Sequence, residues 1–490
     1  MELFRIPLEK HLTITICLTK LALTMKKLLL LSLGLTLTGL SAQEVREASG
    51  GGGYFPEKTE CVSAAEYQRI HQMLSTNREQ LDQKGLLATT TISSANEPGG
   101  LIWPVVNHNG LEYNSAYCVT NYVDHNPSYP GNVLDWNCGE RTYDLNSGYN
   151  HQGIDIATWP FSQQLQENDL VAIVAAKAGT IIGKDDGNFD KNCSMSGAQW
   201  NAVYILGSDG YTYWYGHMKN NSLTNKSVGE SVAQGEFLGI IGSSGSSTGP
   251  HLHFEMYDAN NNLTDPYNGP CNNVPSLWEN QKPYYEPTIN TLMTHSSYPE
   301  FPSCPQLEIV NEKNYFETGD SLCLAIYLHD QTHETQVLLT VTKPDGTHYS
   351  SWYAPQLQEG IHYPASYWYW NTGITADMED GEWSFSATLN GNTQVHHFYV
   401  NVDPTSTPIM TDSDLVIYPN PGNKNFTISG LDYGEFLVEV VDMAGKIVYK
   451  STLKSNDGEL NFQLNTSAGF YIVQLKDDKG QSKRGKIIVQ

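Results

Sequence analysis

The sequence predicts a mainly β protein built from several domains, with one short helical segment near the N-terminus. Its 490 residues correspond to roughly three domains at about 150 residues each. The 42 glycines, 29 tyrosines and 10 tryptophans suit short strands and tight turns, and this aromatic content excludes a chain disordered throughout. From residue 305 to residue 402, apolar and polar residues alternate cleanly, which indicates half-buried antiparallel strands.

The charge balance narrows the range of partners. The chain has 28 Lys and Arg residues against 53 Asp and Glu residues, a formal net charge of −25. An acidic surface of this size repels phosphate backbones, so nucleic acid is not an expected partner.

The N-terminus, residues 1–42, contains the three parts of a secretory signal peptide. Two lysines after Met25 precede the apolar run 28–40, and small residues follow, so cleavage is expected after Ala42. We therefore expect Met25 to be the true start and residues 1–24 to be an upstream extension. The apolar run is shorter than the 18 or so residues that a membrane span requires, so no stable span is expected.

Residues 43–100 form the predicted helical N-terminal segment or pro-segment, with an amphipathic helix over 64–81. Seven cysteines remain after the signal peptide, and an exported chain favours their oxidation. Close spacing suggests three disulfides, although sequence alone does not fix connectivity; the suggested pairs are Cys118 with Cys138, Cys193 with Cys271, and Cys304 with Cys323. Cys61 is then left over. The favoured interpretation is a surface thiol or a different pairing, and the alternative is a pro-segment thiolate that blocks a metal.

Two segments in the middle of the chain place histidines in suggestive positions. The segment GPHLHFE at 249–255 has the residues of a strand, where side chains at i and i+2 share one face, so His251 and His253 point the same way. In the segment HQGID, a fully extended run would separate His151 from Asp155 by about 13 Å, too far for one ion. Gly153 permits the bend that brings them together.

Imidazole and carboxylate ligands suit zinc, and a catalytic zinc site has three protein ligands and one open position. The candidate ligands are His151, Asp155 and one of the two strand histidines, His251 or His253. A further strand-like segment, YWYGHM at 213–218, contains His217 near its end, and we expect this histidine beside the metal but not bound to it.

These motifs together resemble the lysostaphin-like zinc endopeptidases. The resemblance rests on the HxxxD segment at 151–155, the YxH segment at 215–217 and the glycine-rich turn that leads into GPHLHFE. It implies an antiparallel β catalytic domain, placed at 101–290, that binds one zinc ion per chain.

The resemblance also assigns roles to individual residues. It implies that His151, Asp155 and His253 hold the zinc, while His217 and His251 face the attacking water and the scissile carbonyl. The chain has no HExxH helix, so the two remaining histidines carry the proton transfers. Glu255 is either a group that orients an imidazole or a solvated strand residue.

Residues 305–403 are predicted to form an immunoglobulin-like β-sandwich. Three runs alternate, and turns at 344–346 and 390–391 separate strands; the runs are Leu322, Leu324, Ile326 and Leu328, then Val337, Leu339 and Val341, and finally Trp383, Phe385, Ala387 and Leu389. The aromatic run 367–370 fits an aromatic-lined core better than a glycan-binding surface.

A linker rich in Pro, Thr and Ser at 404–412 precedes a small C-terminal β-sandwich at 413–490. This last segment resembles the C-terminal sorting domain of the type IX secretion pathway, on its YPNP start and its later GFYIV strand. The resemblance implies recognition by that machinery at the outer membrane of a Gram-negative cell.

The sequence therefore predicts a secreted or surface-located zinc metalloendopeptidase. Its expected substrates are peptides of peptidoglycan cross-bridges or glycine-rich extracellular proteins, and we expect a monomer. The alternative is a non-catalytic cell-wall-binding or regulatory protein that uses the same groove.

Overall fold

The structure is a computed structural model that describes most of the chain, in nine segments: residues 48–52, 60–87, 100–194, 198–402, 416–431, 434–442, 446–455, 458–477 and 482–490. The predicted signal peptide with its upstream extension, 1–42, and the predicted linker, 404–412, lie outside the described residues. The chain forms two compact units, one that ends at Val402 and one that begins at Asp403. None of the described helices combines the length and apolar character that a membrane crossing requires.

The mainly β prediction is confirmed, because the described residues form many strands and only two helices. The N-terminal segment contributes strand β1 (Ser49–Gly52) and helix α1 (Ala64–Gln83), which ends two residues beyond the predicted helix. The helix begins after Ser63, whose hydroxyl accepts a hydrogen bond from the Glu66 N–H at 3.2 Å. This bond satisfies one of the free amides of the first turn.

One face of helix α1 is buried against the next part of the chain. Ile70, Leu74 and Leu81 lie on that face, at the spacing of an amphipathic helix. They share a hydrophobic cluster with Tyr204 and Trp214. The helix is therefore packed on the folded β structure that follows it.

The strands that carry the sequence motifs lie in a seven-stranded antiparallel sheet with the order β3-β4-β11-β8-β7-β6-β9, and this part of the chain also forms a three-stranded sheet with the order β10-β5-β2. The elements are β2 (Val105–Asn107), β3 (Tyr117–Asn121), β4 (Ile154–Thr158), α2 (Ser162–Glu167), β5 (Val171–Val174), β6 (Gly179–Asp185), β7 (Ala202–Gly207), β8 (Thr212–Gly216), β9 (Ser231–Val232), β10 (Phe237–Ile240) and β11 (His251–Tyr257). Ile156, Ile173, Val203 and Phe254 belong to the core that both sheets share.

The following strands form two more sheets, with the orders β1-β17-β14-β12 and β13-β19-β18-β15-β16. Their elements are β12 (Thr288–His295), β13 (Tyr315–Phe316), β14 (Ser321–Thr332), β15 (Val337–Thr342), β16 (His348–Tyr353), β17 (His362–Gly373), β18 (Gly381–Leu389) and β19 (Asn392–Val400). Leu324 and Trp370 of the first sheet share a core with Phe385 and Phe398 of the second. Strand β1 of the N-terminal segment is an edge strand of the first sheet.

Strand β14 is buried on both faces, whereas its alternation predicts one buried face. The predicted apolar positions, such as Leu324, face the core between the two sheets. The intervening residues Ala325 and Tyr327 pack in a separate cluster with Trp159 and Phe161, which follow strand β4. The second face is therefore covered by the preceding part of the chain.

The aromatic run at 367–370 also lies in packed regions. Trp370 is buried in the core of the two sheets, and the Tyr367 ring stacks on Phe301 with centroids 5.2 Å apart. This packing agrees with the interpretation of the run as a core feature.

A buried ion pair connects the two β regions of the first unit. Arg141 Nη2 lies 2.6 Å from Asp330 Oδ1, and both side chains are at most 6% exposed. His362 Nε2 lies 2.9 Å from the same carboxylate oxygen. Burial disfavours the charged carboxylate, but Arg141 and His362 outweigh it and hold the pKa of Asp330 well below its usual value. The contribution of the ionised Asp330 carboxylate to folding stability is therefore complete at neutral pH. It is lost as the pH falls below about 4, the ordinary pKa of Asp.

We expect Asp330→Asn to destabilise the protein by about 3–5 kcal/mol, because the change leaves the Arg141 guanidinium buried without a counter-charge. Urea unfolding at pH 7 measures the loss. Lys313 and Asp320 provide the control, since their pair at 2.7 Å is 35% exposed on each side, and Asp320→Asn should lose less than about 1 kcal/mol. Equal losses in the two variants would contradict the prediction.

The second unit contains a three-stranded sheet, β20-β21-β24, and a four-stranded sheet, β23-β22-β25-β26. Its elements are β20 (Val416–Tyr418), β21 (Asn425–Ser429), β22 (Gly434–Asp442), β23 (Ile447–Ser455), β24 (Glu459–Gln463), β25 (Gly469–Asp477) and β26 (Ser482–Val489). Phe426 and Ile428 of one sheet pack with Val438 and Val473 of the other.

The three suggested disulfide pairs are wrong. The structure joins Cys138 to Cys271 and Cys193 to Cys304, and leaves Cys61, Cys118 and Cys323 as buried free thiols. The bonded partners are 133 and 111 residues apart, so proximity along the sequence did not indicate proximity in the fold.

Candidate metal centre

The register of three neighbouring strands sets the centre of the site. Asp155 on β4 lies directly opposite His253 on β11. On the other side of β11, His253 lies opposite Gly216, the residue before His217. His251 lies two positions before His253 on the same strand, so both side chains project from one face of the sheet.

Asp155 connects the predicted ligands. Its Oδ1 lies 2.7 Å from His253 Nδ1 and 3.7 Å from His251 Nε2. Its Oδ2 lies 3.0 Å from His151 Nε2 and accepts a hydrogen bond from Asn121 Nδ2 at 3.0 Å. The structure therefore brings His151, Asp155 and His253 together, with all three side chains buried.

Gly153 is required for a reason that differs from the predicted one. His151 lies in the loop before β4, and the chain does bend between His151 and Asp155. Gly153, however, is not among the residues with a positive φ. A Cβ at this position would lie 2.6 Å from the ring of His253, so the glycine provides space for the imidazole.

Each of the two candidate ligand imidazoles is also held through the nitrogen that does not face Asp155. His151 Nδ1 lies 2.7 Å from the backbone oxygen of Tyr122, and His253 Nε2 lies 2.7 Å from Glu255 Oε1. Tyr257 donates to the other Glu255 oxygen at 2.6 Å. His151 Nε2 and His253 Nδ1 are thus the atoms that face Asp155. Of the two alternatives for Glu255, the structure shows the group that contacts an imidazole and not a solvated strand residue.

His217 and His251 lie side by side, with ring centroids 4.4 Å apart. The Nδ1 of His217 lies 2.6 Å from the backbone oxygen of Ser244, and the Nδ1 of His251 lies 2.9 Å from that of Gly249. His217 has a left-handed backbone conformation with a φ of 60°, which is uncommon outside glycine and often found at functional sites. Trp200 packs edge-on against its ring at 5.1 Å.

A thiol from the N-terminal segment lies within the same cluster. Ligand atoms of Cys61, His151, Asp155 and His253 all lie within 4.8 Å of one another, and so do those of Cys61, His217 and His251. Cys61 is only 6% exposed and is not in a disulfide. The favoured prediction of a surface thiol or a different pairing is therefore wrong, because Cys61, just before helix α1, is buried in the same cluster as the apolar face of the helix.

The residues fit a zinc ion. Two imidazole nitrogens and a carboxylate are typical zinc ligands. Each imidazole is oriented by a hydrogen bond at the nitrogen that does not face Asp155. The distances of 3.0 Å and 2.7 Å between ligand atoms suit one ion with bonds of about 2 Å. Among the described residues, the buried Nε2 atom of His217 has no hydrogen-bond partner. Buried polar atoms are seldom left in this state, and a metal or a substrate would satisfy them.

The electrostatics of the cluster depend on neighbouring charges as well as on burial. Burial disfavours the charged form of Asp155, but the imidazoles of His151 and His253 hold its pKa well below the ordinary value. Burial also opposes protonation of His151, and Asp155 overcomes this and raises the pKa of His151 to about 9. His217 differs, because burial and the nearby His251 lower its pKa.

Several groups around the site were not predicted from the sequence. Asn121 holds the Asp155 carboxylate, and the backbone oxygens of Tyr122 and Ser244 fix two imidazoles. A backbone oxygen has no sequence signature. Asn121 lies in the Asn-rich stretch before the first motif, and its place opposite Asp155 in the β3–β4 pair is visible only in the fold.

Comparisons with known families locate two modules in the chain. Residues 149–266 match the family model described as Peptidase family M23. Residues 416–490 match the model described as Secretion system C-terminal sorting domain. The first match contains all five predicted site residues, and the second lies within the C-terminal unit.

Two similar curated proteins carry endopeptidase names. The Peptidoglycan DD-endopeptidase ShyC of Vibrio cholerae is 33% identical over 97 residues, which cover 20% of this chain and 22% of the relative. The Glycyl-glycine endopeptidase ALE-1 of Staphylococcus capitis is 39% identical over 70 residues, which cover 14% of this chain and 18% of the relative. The chain thus spans less than a quarter of the length of each.

Among solved structures, the catalytic domain of the prophage-encoded M23 protein EnpA from Enterococcus faecalis is similar to this chain. The two are 23% identical, and the match covers 32% of this chain and 92% of that domain with a TM-score of 0.20.

Proposed function

We propose, from the premise that this chain carries a peptidase family M23 domain and a type IX sorting domain, that it is a secreted zinc metalloendopeptidase. The observation that carries the proposal is the convergence of His151, Asp155 and His253 on one buried point, beside two further imidazoles. When bound there, zinc would supply a Lewis acid and an acidified water molecule.

The two non-ligand histidines are suited to proton transfer. Nδ1 of each lies against a backbone oxygen, a contact in which the imidazole donates its N–H, so Nε2 is left as the atom that exchanges protons. A neutral Nε2 accepts a proton from an attacking water, and the protonated ring then donates to the developing oxyanion or to the leaving amine. Their exclusion from bulk water strengthens these interactions.

The proposed substrates are peptide bonds of peptidoglycan cross-bridges or of glycine-rich proteins. The names of the two curated relatives support this class, since one acts on peptidoglycan and the other on a glycyl-glycine bond. The sorting domain directs the chain to the cell surface or the exterior, where such polymers from other cells are accessible.

The test measures zinc content and hydrolysis on one preparation. The purified protein and its Cys61→Ser variant are assayed with peptidoglycan and with a glycine-rich peptide, with and without a chelator. We expect one zinc per chain and chelator-sensitive cleavage by at least one of the two proteins. Zinc without cleavage by either would instead favour a binding role, and the absence of zinc would overturn the ligand assignment.

A further inference from the structure

The Cys61 thiol lies between the two halves of the proposed active site. Its sulfur belongs to both groups of converging ligand atoms, the one with His151, Asp155 and His253 and the one with His217 and His251. A water and a scissile carbonyl would need this same space to reach both groups. The sulfur is also 3.0 Å from the Tyr143 hydroxyl, so a specific contact accompanies its placement.

Polar contacts hold helix α1 against the seven-stranded sheet, and Cys61 lies just before this helix. Tyr67 donates to Glu255 Oε1 at 2.5 Å, the same oxygen that lies against His253. Arg69 lies 2.7 Å from Asp185 on the neighbouring sheet. These contacts add to the apolar face of the helix, so the thiol is not on a freely moving arm.

The segment around Cys61 also forms one wall of the adjoining cavity. This cavity has a volume of about 560 Å³ and lies beside the loop that carries His151. Val62 and Tyr67 are among the residues that line it, together with His125 and Asn150. The segment that carries Cys61 therefore borders a space large enough for a peptide next to the His151 loop.

We infer that the Cys61 thiolate is a fourth ligand of the zinc held by His151, Asp155 and His253, and that the N-terminal segment thereby keeps the peptidase latent. This inference rests on the proposed function, because it concerns the regulation of the same site. Sulfur, two imidazole nitrogens and a carboxylate oxygen complete a closed four-coordinate set, as in structural zinc sites, whereas catalytic sites keep one open position.

The ligand exchange is balanced without a redox step. The thiol loses one proton to solvent when its sulfur binds the metal, as thiolate ligands do. When the segment moves away, the metal–sulfur bond breaks, the thiolate takes a proton, and a water molecule occupies the open position. Neither an oxidant nor a cleaved disulfide is required.

The test of ligation uses cobalt(II) in place of zinc in the full protein. A thiolate bound to cobalt gives an intense near-ultraviolet charge-transfer absorption that imidazole and carboxylate ligands do not give. We expect this absorption in the wild-type protein and in Cys323→Ala, whose buried free thiol lies on β14, away from the metal cluster. We expect it to disappear in Cys61→Ser. Its absence from the wild type overturns the inference.

The test of latency compares metal affinity with activity. Loss of a ligand should weaken zinc binding in Cys61→Ser, while opening of the site should raise hydrolysis at least about tenfold. Changes in opposite directions distinguish a blocking ligand from a structural residue, since a merely structural loss lowers both. Cys323→Ala should change neither.

A second variant tests latency without a substitution at Cys61, in case Cys61→Ser does not fold. Arg69→Gln removes the ion pair with Asp185 but no atom of the metal cluster, so a few-fold rise in hydrolysis is expected with the cobalt–thiolate absorption retained. Wild-type hydrolysis that Cys61→Ser does not increase overturns latency and leaves the proposed function intact. A thiolate absorption without hydrolysis by any variant supports the ligand and overturns the proposed function and latency.

Discussion

Asp155→Asn is expected to lose zinc and to lower hydrolysis by more than about 100-fold. Even groups that only support a ligand change metal affinity by 10–100-fold, and Asp155 is a proposed ligand that also contacts both of the other proposed ligands, His151 and His253. The near-isosteric amide keeps the volume and can still meet Asn121, so the loss of charge is isolated from the loss of packing.

Zinc content after dialysis measures the effect, and thermal unfolding gives a second readout. A ligand that binds only the folded state raises its stability, so added zinc should raise the Tm of the wild type and not that of Asp155→Asn. The comparison is repeated between Cys61→Ser and the double variant Cys61→Ser, Asp155→Asn, since the thiol lies in the same cluster. Glu140→Gln, at an exposed carboxylate, serves as the control and should bind zinc normally. One zinc and wild-type hydrolysis in Asp155→Asn would contradict the ligand assignment.

The convergence of the candidate residues could be predicted from the sequence where their spacing along one strand or loop determines the local geometry. The pair at positions 251 and 253 needed only the two-residue period of a strand, and both side chains do face Asp155. The separation of His151 and Asp155 needed a bend, which the loop before β4 provides. The role of Gly153 could not be predicted, because its neighbour is His253, which lies 100 residues further along the chain.

Long-range contacts account for what the sequence did not reveal. The position of Cys61 depends on the packing of helix α1 on Trp214, and no local pattern around residue 61 specifies that contact. The second buried face of β14 has the same origin, because alternation describes one strand and not the layer that covers it. The disulfides join segments more than a hundred residues apart for the same reason.

Removal of the His217 imidazole should separate catalysis from metal binding. We expect His217→Ala and His217→Asn to retain one zinc and to lower kcat by about 10²–10⁴-fold, the usual contribution of a positioned acid or base. The asparagine variant is needed because the backbone at this position has a φ of 60°, which asparagine tolerates better than alanine. His348→Ala, at an exposed histidine outside the matched peptidase region, is the control.

The result distinguishes a transition-state role from substrate binding. A fall in kcat with little change in KM would place His217 in proton transfer, whereas a rise in KM alone would indicate a contact that substrate and transition state share. The comparison is made in the Cys61→Ser background as well, so that a blocked site does not conceal the effect. Zinc retention with unchanged hydrolysis in both variants would contradict the proposed proton transfer by His217, which lies beside His251 at the cluster.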